Sequence, residues 1–297
     1  MRRTMTSCVW YVSDFQRPWE AAVIGNLAAA LNTAAFPLQV YVQGGTGNLR
    51  VEGVLSWNSL TFFERMSVVL FKGDLWHLWG EAPFWWRWIR MRARTVHTAL
   101  DASPDWRGHP TRLFPEQVRE GESLVRPTFE IRVAWARDSV EDADAPSALL
   151  LAAPLTDALR RAVERSGMET ISPSDGEAVS ALEKGRAALV GDAPTDALLA
   201  AWAAMQGLPV VTRSSPLIRN LLGRDGCIVV KADAEDAWFD ALEAARSEEG
   251  RTASASARRF LKENFSAAGS AESLIDLYRS VRKKASEAPD ARKSNAL

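Results

Sequence analysis

The chain has few of the residues that build metal centres and reactive thiol sites. Its 297 residues include three histidines and two cysteines, Cys8 and Cys227. Both cysteines fall in predicted strands, where isolated thiols behave as small buried hydrophobes. No cysteine–histidine spacing matches a metal site, and no serine–histidine–aspartate arrangement points to a hydrolase. We therefore expect no bound metal.

An excess of one charge and a long apolar run are also absent. The formal net charge is −1, which argues against a general nucleic-acid-binding protein. No run of 18 apolar residues exists, so the sequence predicts no membrane-spanning helix. The apolar stretch after Arg2 and Arg3 stops at Ser13, which is too short for a secretory signal. These absences predict a cytoplasmic protein without a nucleic-acid partner.

The most informative segment covers residues 187–230, where short apolar runs alternate with helical patterns. The apolar runs cover residues 187–190, 209–212 and 227–230. Strands and helices that alternate with short connections predict a parallel sheet with helices on its faces. Ligands of such sheets bind beyond the carboxyl ends of the strands. The candidate site therefore lies in loops 191–195 and 212–216.

The first half of the chain repeats this alternation, so the sequence predicts two α/β domains. Strands are predicted at 9–12, 38–42, 51–57, 75–78 and 95–99, and helices at 62–71 and 83–94. Residues 101–128 show no clear period, and we place the interdomain connection there. Further strands are predicted at 129–134 and 148–153. The predicted domains are residues 1–120 and 121–282, followed by a polar, disordered tail at 283–297.

The run Met205-Gln206-Gly207-Leu208-Pro209-Val210-Val211 resembles a motif in the donor-binding half of retaining glycosyltransferases of family four. Weaker similarities follow in the family's order along the chain. They lie at residues 12–14, 74–77, 96–99 and 264–266. The resemblance implies an α/β fold of two Rossmann-like, doubly wound domains facing a cleft, the GT-B type.

The resemblance also implies a reaction. A family member transfers a sugar from a nucleotide diphosphate sugar to an acceptor, which is here a glycan or a lipid-linked molecule. The nucleotide sugar is a substrate, so no separate cofactor is expected. No metal is obligatory, because basic residues and helix termini usually stabilise the leaving group in this fold.

The sequence departs from the family at four donor-site features. The segment 15–20 lacks the glycines of the first phosphate loop, and Arg137 is the one plausible remnant of the basic pair. Leu100 occupies the position of a reaction-centre histidine, and Pro194 and Trp202 occupy those of two acids. The alternative is therefore a catalytically inactive homologue that acts as a binding or scaffold protein.

Two residues are candidates for catalysis. Asp101, beside Leu100, could act as a base or polarise a sugar hydroxyl, although an aspartate after a strand also serves as a turn or helix cap. His77 lies on a predicted internal strand, where it is either a catalyst or a hydrogen-bonded structural histidine.

Five residues are candidates for donor binding. Ser214 and Ser215 follow a predicted strand and precede a helix, so they either cap that helix or help it to hold a phosphate. Thr195 and Asp196 have the same two interpretations. The fifth is Arg137, which would neutralise the diphosphate.

The segment 84–94 combines aromatic residues with arginines. On a helix, Arg87, Arg90 and Arg94 fall within about 60° of one another, beside an apolar face that includes Trp85 and Trp88. Tryptophan at the headgroup level and arginine toward anionic lipid are typical of a helix that lies on a membrane surface. The alternative is a surface helix whose tryptophans fill the domain core.

Overall fold

The computed structural model describes residues 8–13, 18–43, 54–99, 108–129, 148–151, 155–171, 185–191, 193–213 and 215–287. The chain divides into two compact units. The first comprises residues 1–15, 27–127 and 267–297, and the second comprises 16–26 and 128–266. The domain limits predicted from the sequence stay a prediction, although the structure assigns 16–26 to the second unit and 267–297 to the first.

The first unit contains a seven-stranded sheet in which every described pairing is parallel. The strand order is β3-β2-β1-β4-β5-β6-β7. The strands are β1 (Cys8–Val12), β2 (Leu38–Val42), β3 (Val54–Ser56), β4 (Leu75–Trp79), β5 (Arg94–Thr98), β6 (His109–Arg112) and β7 (Ser123–Leu124). The helices that precede residue 100 are α1 (Pro18–Thr33), α2 (Phe62–Phe71) and α3 (Trp86–Arg92).

Strands β6 and β7 correct the interdomain connection that the sequence placed at residues 101–128. Thr111 is fully buried and donates a hydrogen bond to the carbonyl of His97, 3.1 Å away. The buried Arg112 forms an ion pair with Glu122 at 3.4 Å. This part of the sheet is held by polar groups that satisfy one another, so no apolar period marks it in the sequence.

Tryptophan and tyrosine rings pack on one face of the first sheet. Trp57 and Trp85 stack with their centroids 4.7 Å apart, and Tyr11 meets their edges at 5.3 and 4.8 Å. Each such pair contributes roughly 0.5–1.5 kcal/mol beyond the burial of its area. Trp85 is 8% exposed. Of the two interpretations of the segment 84–94, Trp85 follows the one in which tryptophans fill the domain core.

Arg92 joins α2 to α3. Its Nη1 donates to the carbonyl of Gly73 at 3.0 Å, and its Nη2 donates to those of Lys72 at 2.6 Å and Val68 at 3.3 Å. Its Nε donates to the carbonyl of Val69. These oxygens lie in the last turn of α2 or just beyond it, where most helix carbonyls lack internal partners, although that of Val68 also accepts from the Lys72 NH. One guanidinium therefore fixes the position of α3 against the end of α2.

The second unit contains a five-stranded parallel sheet with the order β12-β11-β10-β8-β9. The strands are β8 (Ala148–Leu151), β9 (Glu169–Ile171), β10 (Gly185–Val190), β11 (Val210–Arg213) and β12 (Ile228–Val230). The helices are α4 (Asp157–Ser166), α5 (Pro194–Met205), α6 (Pro216–Leu222), α7 (Glu235–Arg246) and α8 (Glu248–Asn264). The predicted strand at 129–134 lies outside the described residues from residue 130 onward.

The closing helix α9 (Ala267–Glu287) belongs to the first unit. It buries Leu274, Leu277 and Tyr278. Residues 283–287 continue this helix, so this part of the predicted disordered tail is corrected. Lysine, alanine and glutamate at these positions are good helix formers, and they extend a helix that is already anchored by its buried face. Residues 288–297 lie outside the described part of the chain.

Candidate functional site

The predicted site loops of the second unit lie side by side. Strands β10 and β11 are adjacent and parallel, and Val190 pairs with Thr212. Loops 191–195 and 212–216 therefore leave the same edge of the sheet from neighbouring strands. Helices α5 and α6 begin there, and their first-turn amides point toward that edge. The structure thus brings Thr195, Asp196 and Ser215 to the carboxyl edge, as the alternation of strands and helices predicted.

The first turn of α5 is held from two sides. The backbone NH of Ala193 donates to the Asp196 carboxylate at 3.4 Å, so this buried acid closes the helix start. The indole NH of Trp19 donates to the carbonyl of Thr195 at 3.0 Å. Trp19 is 2% exposed, and its residue range belongs to the second unit. Asp196 therefore has a capping role, and donor binding by Thr195 or Asp196 stays a prediction.

Ser215 caps the start of α6. Its Oγ accepts a hydrogen bond from the backbone NH of Ile218 at 3.4 Å, and the residue is 2% exposed. The capping interpretation therefore holds for Ser215, whereas phosphate binding by this residue stays a prediction. The other predicted donor-binding residues, Ser214 and Arg137, and the predicted catalytic residue Asp101 lie outside the described residues.

Arg213 is a residue at this edge that the sequence reasoning missed. It ends β11, and its side chain is 57% exposed. Its Nη1 lies 3.8 Å from Oδ2 of Asp233, which is a loose ion pair. One sequence feature could have identified it: Arg213 directly follows the apolar run that was predicted to end at Thr212.

Asp233 organises the surroundings of Arg213. Its Oδ1 accepts hydrogen bonds from the indole NH of Trp238 at 2.8 Å and from the hydroxyl of Thr156 at 3.1 Å. The bond from Trp238 is the main cause of a lowered pKa of Asp233, and Thr156 and Arg213 lower this pKa further. Asp233 thus stays ionised beside Arg213. The arrangement places an exposed cation, with a loosely paired carboxylate nearby, at the carboxyl edge of a parallel sheet.

His77 lies in the core of the first unit and is fully buried. Its Nδ1 is 2.6 Å from the Tyr278 hydroxyl, and its Nε2 is 2.7 Å from Thr98 Oγ1. Burial lowers the pKa of His77 well below its ordinary value, and nearby His97 lowers it further. Since both ring nitrogens are occupied by the core, we withdraw the predicted catalytic role of His77. Its alternative interpretation as a structural histidine describes what is seen.

Trp202, which the sequence resemblance matched to an acid, is 7% exposed and lies in α5. It offers no carboxylate to a sugar hydroxyl. Among the described residues, no group of three or more His, Cys, Asp or Glu side chains is placed to hold a metal ion.

Known structures resemble the chain over nearly its full length. AviGT4, a glycosyltransferase involved in avilamycin A biosynthesis, is 14% identical with a TM-score of 0.57, covering 91% of this chain and 97% of its own. Anabaena HepE in complex with UDP and glucose is 10% identical with a TM-score of 0.62, covering 92% and 100%. Sucrose-phosphate synthase from Thermosynechococcus elongatus is 13% identical with a TM-score of 0.56, covering 94% and 100%.

The fold is that of the GT-B glycosyltransferases. The predicted α/β fold class is confirmed, because both sheets are parallel and the similarity extends over both units. At sequence identities of 10–14%, this similarity shows the fold and not the function. No protein-family model matches the chain, and no curated protein matches it.

Proposed function

We propose that the chain is a glycosyltransferase that binds a nucleotide diphosphate sugar at the carboxyl edge of the second sheet. The observation that carries the proposal is Arg213, an exposed cation at the same sheet edge as the helix starts of α5 and α6. Phosphates bind where helix amides and a guanidinium converge. The nucleotide sugar is the substrate, and we propose that no metal and no separate cofactor take part.

Similarity to GT-B proteins supports this assignment, since one of them is seen with UDP and glucose. Within the fold we favour the retaining family-four group, on the resemblance of residues 205–211. The expected reaction transfers the sugar from the diphosphate leaving group to a hydroxyl of the acceptor. Arg213 would offset charge on the leaving diphosphate, because a fixed cation is most valuable where charge develops. Asp101 stays our candidate for a base.

Thermal shift with UDP tests donor binding. A ligand that binds the folded state stabilises it by mass action, so UDP should raise the melting temperature of the wild type. The Arg213→Gln variant should lose most of that shift, because it loses a charge-assisted contact worth about 1.5–3 kcal/mol. Arg246→Gln in α7 removes an exposed arginine that pairs with Glu243, and serves as the matched control. Equal shifts in both variants would exclude Arg213 from the site.

The competing function is a catalytically silent homologue that binds a partner. It is favoured by Trp202, whose buried ring replaces an acid. UDP release from a panel of nucleotide sugars separates the two. A transferase turns over in the presence of an acceptor, whereas a silent homologue binds without release of UDP. We expect slow turnover, because a buried sugar hydroxyl without its carboxylate costs roughly 1–3 kcal/mol.

We further propose that an anionic membrane is a partner of the first unit, which would place a lipid-linked acceptor nearby. Eight large apolar side chains are well exposed in the described part of the chain, and seven of them lie between Leu55 and Met91. They include Phe62, Phe63, Phe71 and Phe84, each more than 70% exposed. Phe62, Phe63 and Phe71 lie on α2, Phe84 precedes α3 and Met91 lies on it, and exposed apolar groups of this size mark interaction surfaces. We call residues 62–71 and 84–91 the aromatic surface.

Cations beside the aromatic surface favour lipid as its partner. Arg87 and Arg90 are exposed on α3, the helix that Arg92 fixes to α2. Aromatic rings at headgroup level and arginines toward anionic lipid are the pattern of interfacial binding. The exposed apolar groups are thus phenylalanines and Met91, whereas Trp85 is buried and Trp88 packs partly buried against the core. Within the described residues, no helix is both long enough and apolar enough to cross a bilayer.

Flotation with phosphatidylcholine vesicles, with and without phosphatidylglycerol, tests the aromatic surface. Wild type should float with the anionic vesicles at low salt and sink at high salt, since each arginine contributes about 1 kcal/mol and is screened by ions. Phe62→Ser/Phe63→Ser and Arg87→Glu/Arg90→Glu should each abolish flotation. Arg224→Glu/Lys231→Glu, an exposed pair in the second unit, is the charge-matched control. Wild type that stays at the bottom, or that dimerises through these phenylalanines, would rule out the membrane as partner.

A further inference from the structure

A basic groove lies in the second unit, along one face of α8. Its volume is about 550 Å³, and it is lined by Gly207, Arg251, Ser254, Ala255, Arg258, Arg259 and Lys262. Four of these seven residues are cations and none is an acid. The volume falls within the range of roughly 300–1,000 Å³ that small-molecule sites occupy. We call this feature the basic groove.

The spacing of the residues on α8 shapes the basic groove. At about 100° per residue, Arg251, Arg258 and Lys262 fall within about 40° of one another and form a row. The row is about 16 Å long at 1.5 Å per residue. Ala255 lies between the first two cations, and its small side chain leaves the middle of the row open. Three long cationic side chains thus border a space that no large side chain of α8 fills.

The cations of the groove are weakly neutralised by the protein. Among the described residues, the ion pair that these four side chains make is Arg251 with Glu248 at 3.2 Å. Both side chains of that pair are about three-quarters exposed, so the pair contributes little to stability. Cations gathered without acids repel one another, and a bound anion would remove that cost.

Buried polar groups in the groove also lack partners. Ser254 is 3% exposed, and its Oγ has no hydrogen-bond partner among the described residues. The Nε of Arg258 is likewise buried without an acceptor. A buried polar group left unpaired costs about 1–3 kcal/mol. Arg258 Nε can only donate and the Ser254 hydroxyl can also donate, so the missing partner is rich in acceptor oxygens.

The groove lies away from the proposed donor site. Gly207 ends the turn after α5 and precedes the amino end of β11, whereas Arg213 stands at the carboxyl end of that strand. The two sites are thus at opposite edges of the second sheet. We propose that the basic groove binds a second ligand, a compact anion with at least two phosphate groups. This site goes beyond the proposed transfer of a sugar and does not depend on it.

Calorimetric titration of the full chain with inorganic pyrophosphate tests the proposal. UDP is left out, because its own diphosphate would compete for the groove, and Arg213→Gln, which weakens the proposed donor site, is titrated in parallel. Wild type should bind pyrophosphate, and Arg213→Gln should still bind one equivalent. Arg258→Gln/Lys262→Gln should weaken this binding at least about tenfold, because two charge-assisted contacts are lost. Arg224→Gln/Lys231→Gln removes two exposed cations of the same unit outside the groove and should change affinity less than about twofold.

A second variant, Ala255→Glu, separates a loss of binding from a loss of folding. Ala255→Glu places a carboxylate in the groove at an exposed helix position, and it should abolish binding while the melting temperature stays near that of wild type. If Arg213→Gln and the wild type bind pyrophosphate alike, Arg213 takes no part in that binding, and the comparison of the groove variants still decides the groove.

The outcomes that overturn the proposal are equally definite. One is the failure of pyrophosphate to bind the wild type, and the other is an equal change of affinity in the groove pair and the control pair. If Arg258→Gln/Lys262→Gln lowers the melting temperature and wild type binds no anion, the cations serve the C-terminal end of α5 instead. A parallel flotation with phosphatidic acid vesicles, in the Phe62→Ser/Phe63→Ser background, identifies the source of the phosphate. Flotation that is lost in Ala255→Glu indicates a lipid headgroup, and binding of soluble pyrophosphate alone indicates a free metabolite.

Discussion

Nδ1 of His77 lies 2.6 Å from the hydroxyl of Tyr278, a residue 201 positions away on the closing helix α9. The same hydroxyl accepts a hydrogen bond from the indole NH of Trp10 at 2.8 Å. Strands β1 and β4 are thus joined to α9 through one buried oxygen. Tyr278 is fully buried, and burial raises the pKa of its phenol well above the ordinary value, so the hydroxyl stays protonated.

The direction of each hydrogen bond in this network follows from the backbone carbonyl of His97, which can only accept. Thr111 donates to the carbonyl of His97, so the hydroxyl of Thr98 donates to Thr111 and accepts from Nε2 of His77. His77 therefore carries its proton on Nε2, and Nδ1 accepts from Tyr278. Protonation of His77 would place an N–H at Nδ1 opposite the O–H that Tyr278 donates. This conflict reinforces the lowered pKa that burial causes.

Tyr278→Phe should destabilise the protein by about 2–4 kcal/mol. It leaves the indole NH of Trp10 and Nδ1 of His77 without partners, each at a cost of roughly 1–3 kcal/mol that partial relaxation reduces. Urea unfolding measures the change in the free energy of unfolding. Tyr11→Phe, whose hydroxyl bonds to Gln43 at a partly buried site, is the matched control and should cost less. A Tyr278→Phe variant as stable as this control would show that the network contributes little.

Stability should fall with acid below about pH 6.5 because of His77. Its pKa is lowered in the folded state, so the unfolded chain binds the proton more readily. The stabilisation is complete above the unfolded pKa and is lost as the pH falls below it, by up to about 1.4 kcal/mol per pH unit. Urea unfolding between pH 5 and 7.5 measures the slope. His77→Gln should flatten it relative to wild type, and identical slopes would assign the dependence to other groups.

Both thiols should resist a thiol reagent in the native protein. Cys8 and Cys227 are buried, as the sequence predicted for both. Burial raises the pKa of Cys227 to about 11 and that of Cys8 further above its ordinary value. Because the thiolate is the reactive form, labelling with a chromogenic disulfide at pH 8 should give fewer than about 0.1 equivalents in native buffer. Two equivalents should react in denaturant, and fast native labelling would place a thiol at the surface.

The sequence located the elements that carry a clear apolar period. Strand β2 and helix α2 have the predicted bounds, because a short, mostly apolar run marks the strand and an apolar helical pattern marks the helix. Strand β6 was missed because its buried residues, Thr111 and Arg112, are polar and depend on partners distant in the chain. Local pattern cannot reveal a hydrogen bond that tertiary structure creates.

The helix at 84–94 shows a different limit. The sequence began its helical wheel at Phe84, whereas α3 begins at Trp86 and Trp85 is its cap. The faces assigned to the first residues were therefore wrong, and Trp85 turns into the core. The candidate loops 191–195 and 212–216 were predicted at the carboxyl edge of the sheet, where β10 and β11 end side by side, because ligand loops in α/β folds follow general rules; ligand binding there stays a prediction. Arg213 was missed because nothing in the sequence shows that Asp233, 20 residues later, lies near it.

Arg92→Met should loosen the end of α2 and weaken the aromatic surface without unfolding the first unit. The guanidinium binds the carbonyls of Lys72 and Gly73 at 2.6 and 3.0 Å, and also those of Val68 and Val69. Burial lowers the pKa of Arg92, although much of the side chain stays in contact with solvent. Solvent therefore replaces some of these bonds, and we expect a loss of roughly 2 kcal/mol.

Hydrogen exchange resolves where the loss from Arg92→Met falls. Amides of α2 should exchange at least about tenfold faster in the variant, while those of β1 and β4 should keep their protection, because sub-global opening is local. Arg90→Met, an exposed neighbour on α3, is the matched control and should leave exchange unchanged. Arg92→Lys should restore little, since an ammonium cannot span the four carbonyls that the planar guanidinium reaches. Uniform acceleration across both helices and strands would mean that Arg92 supports the whole unit, and not the junction of α2 with α3.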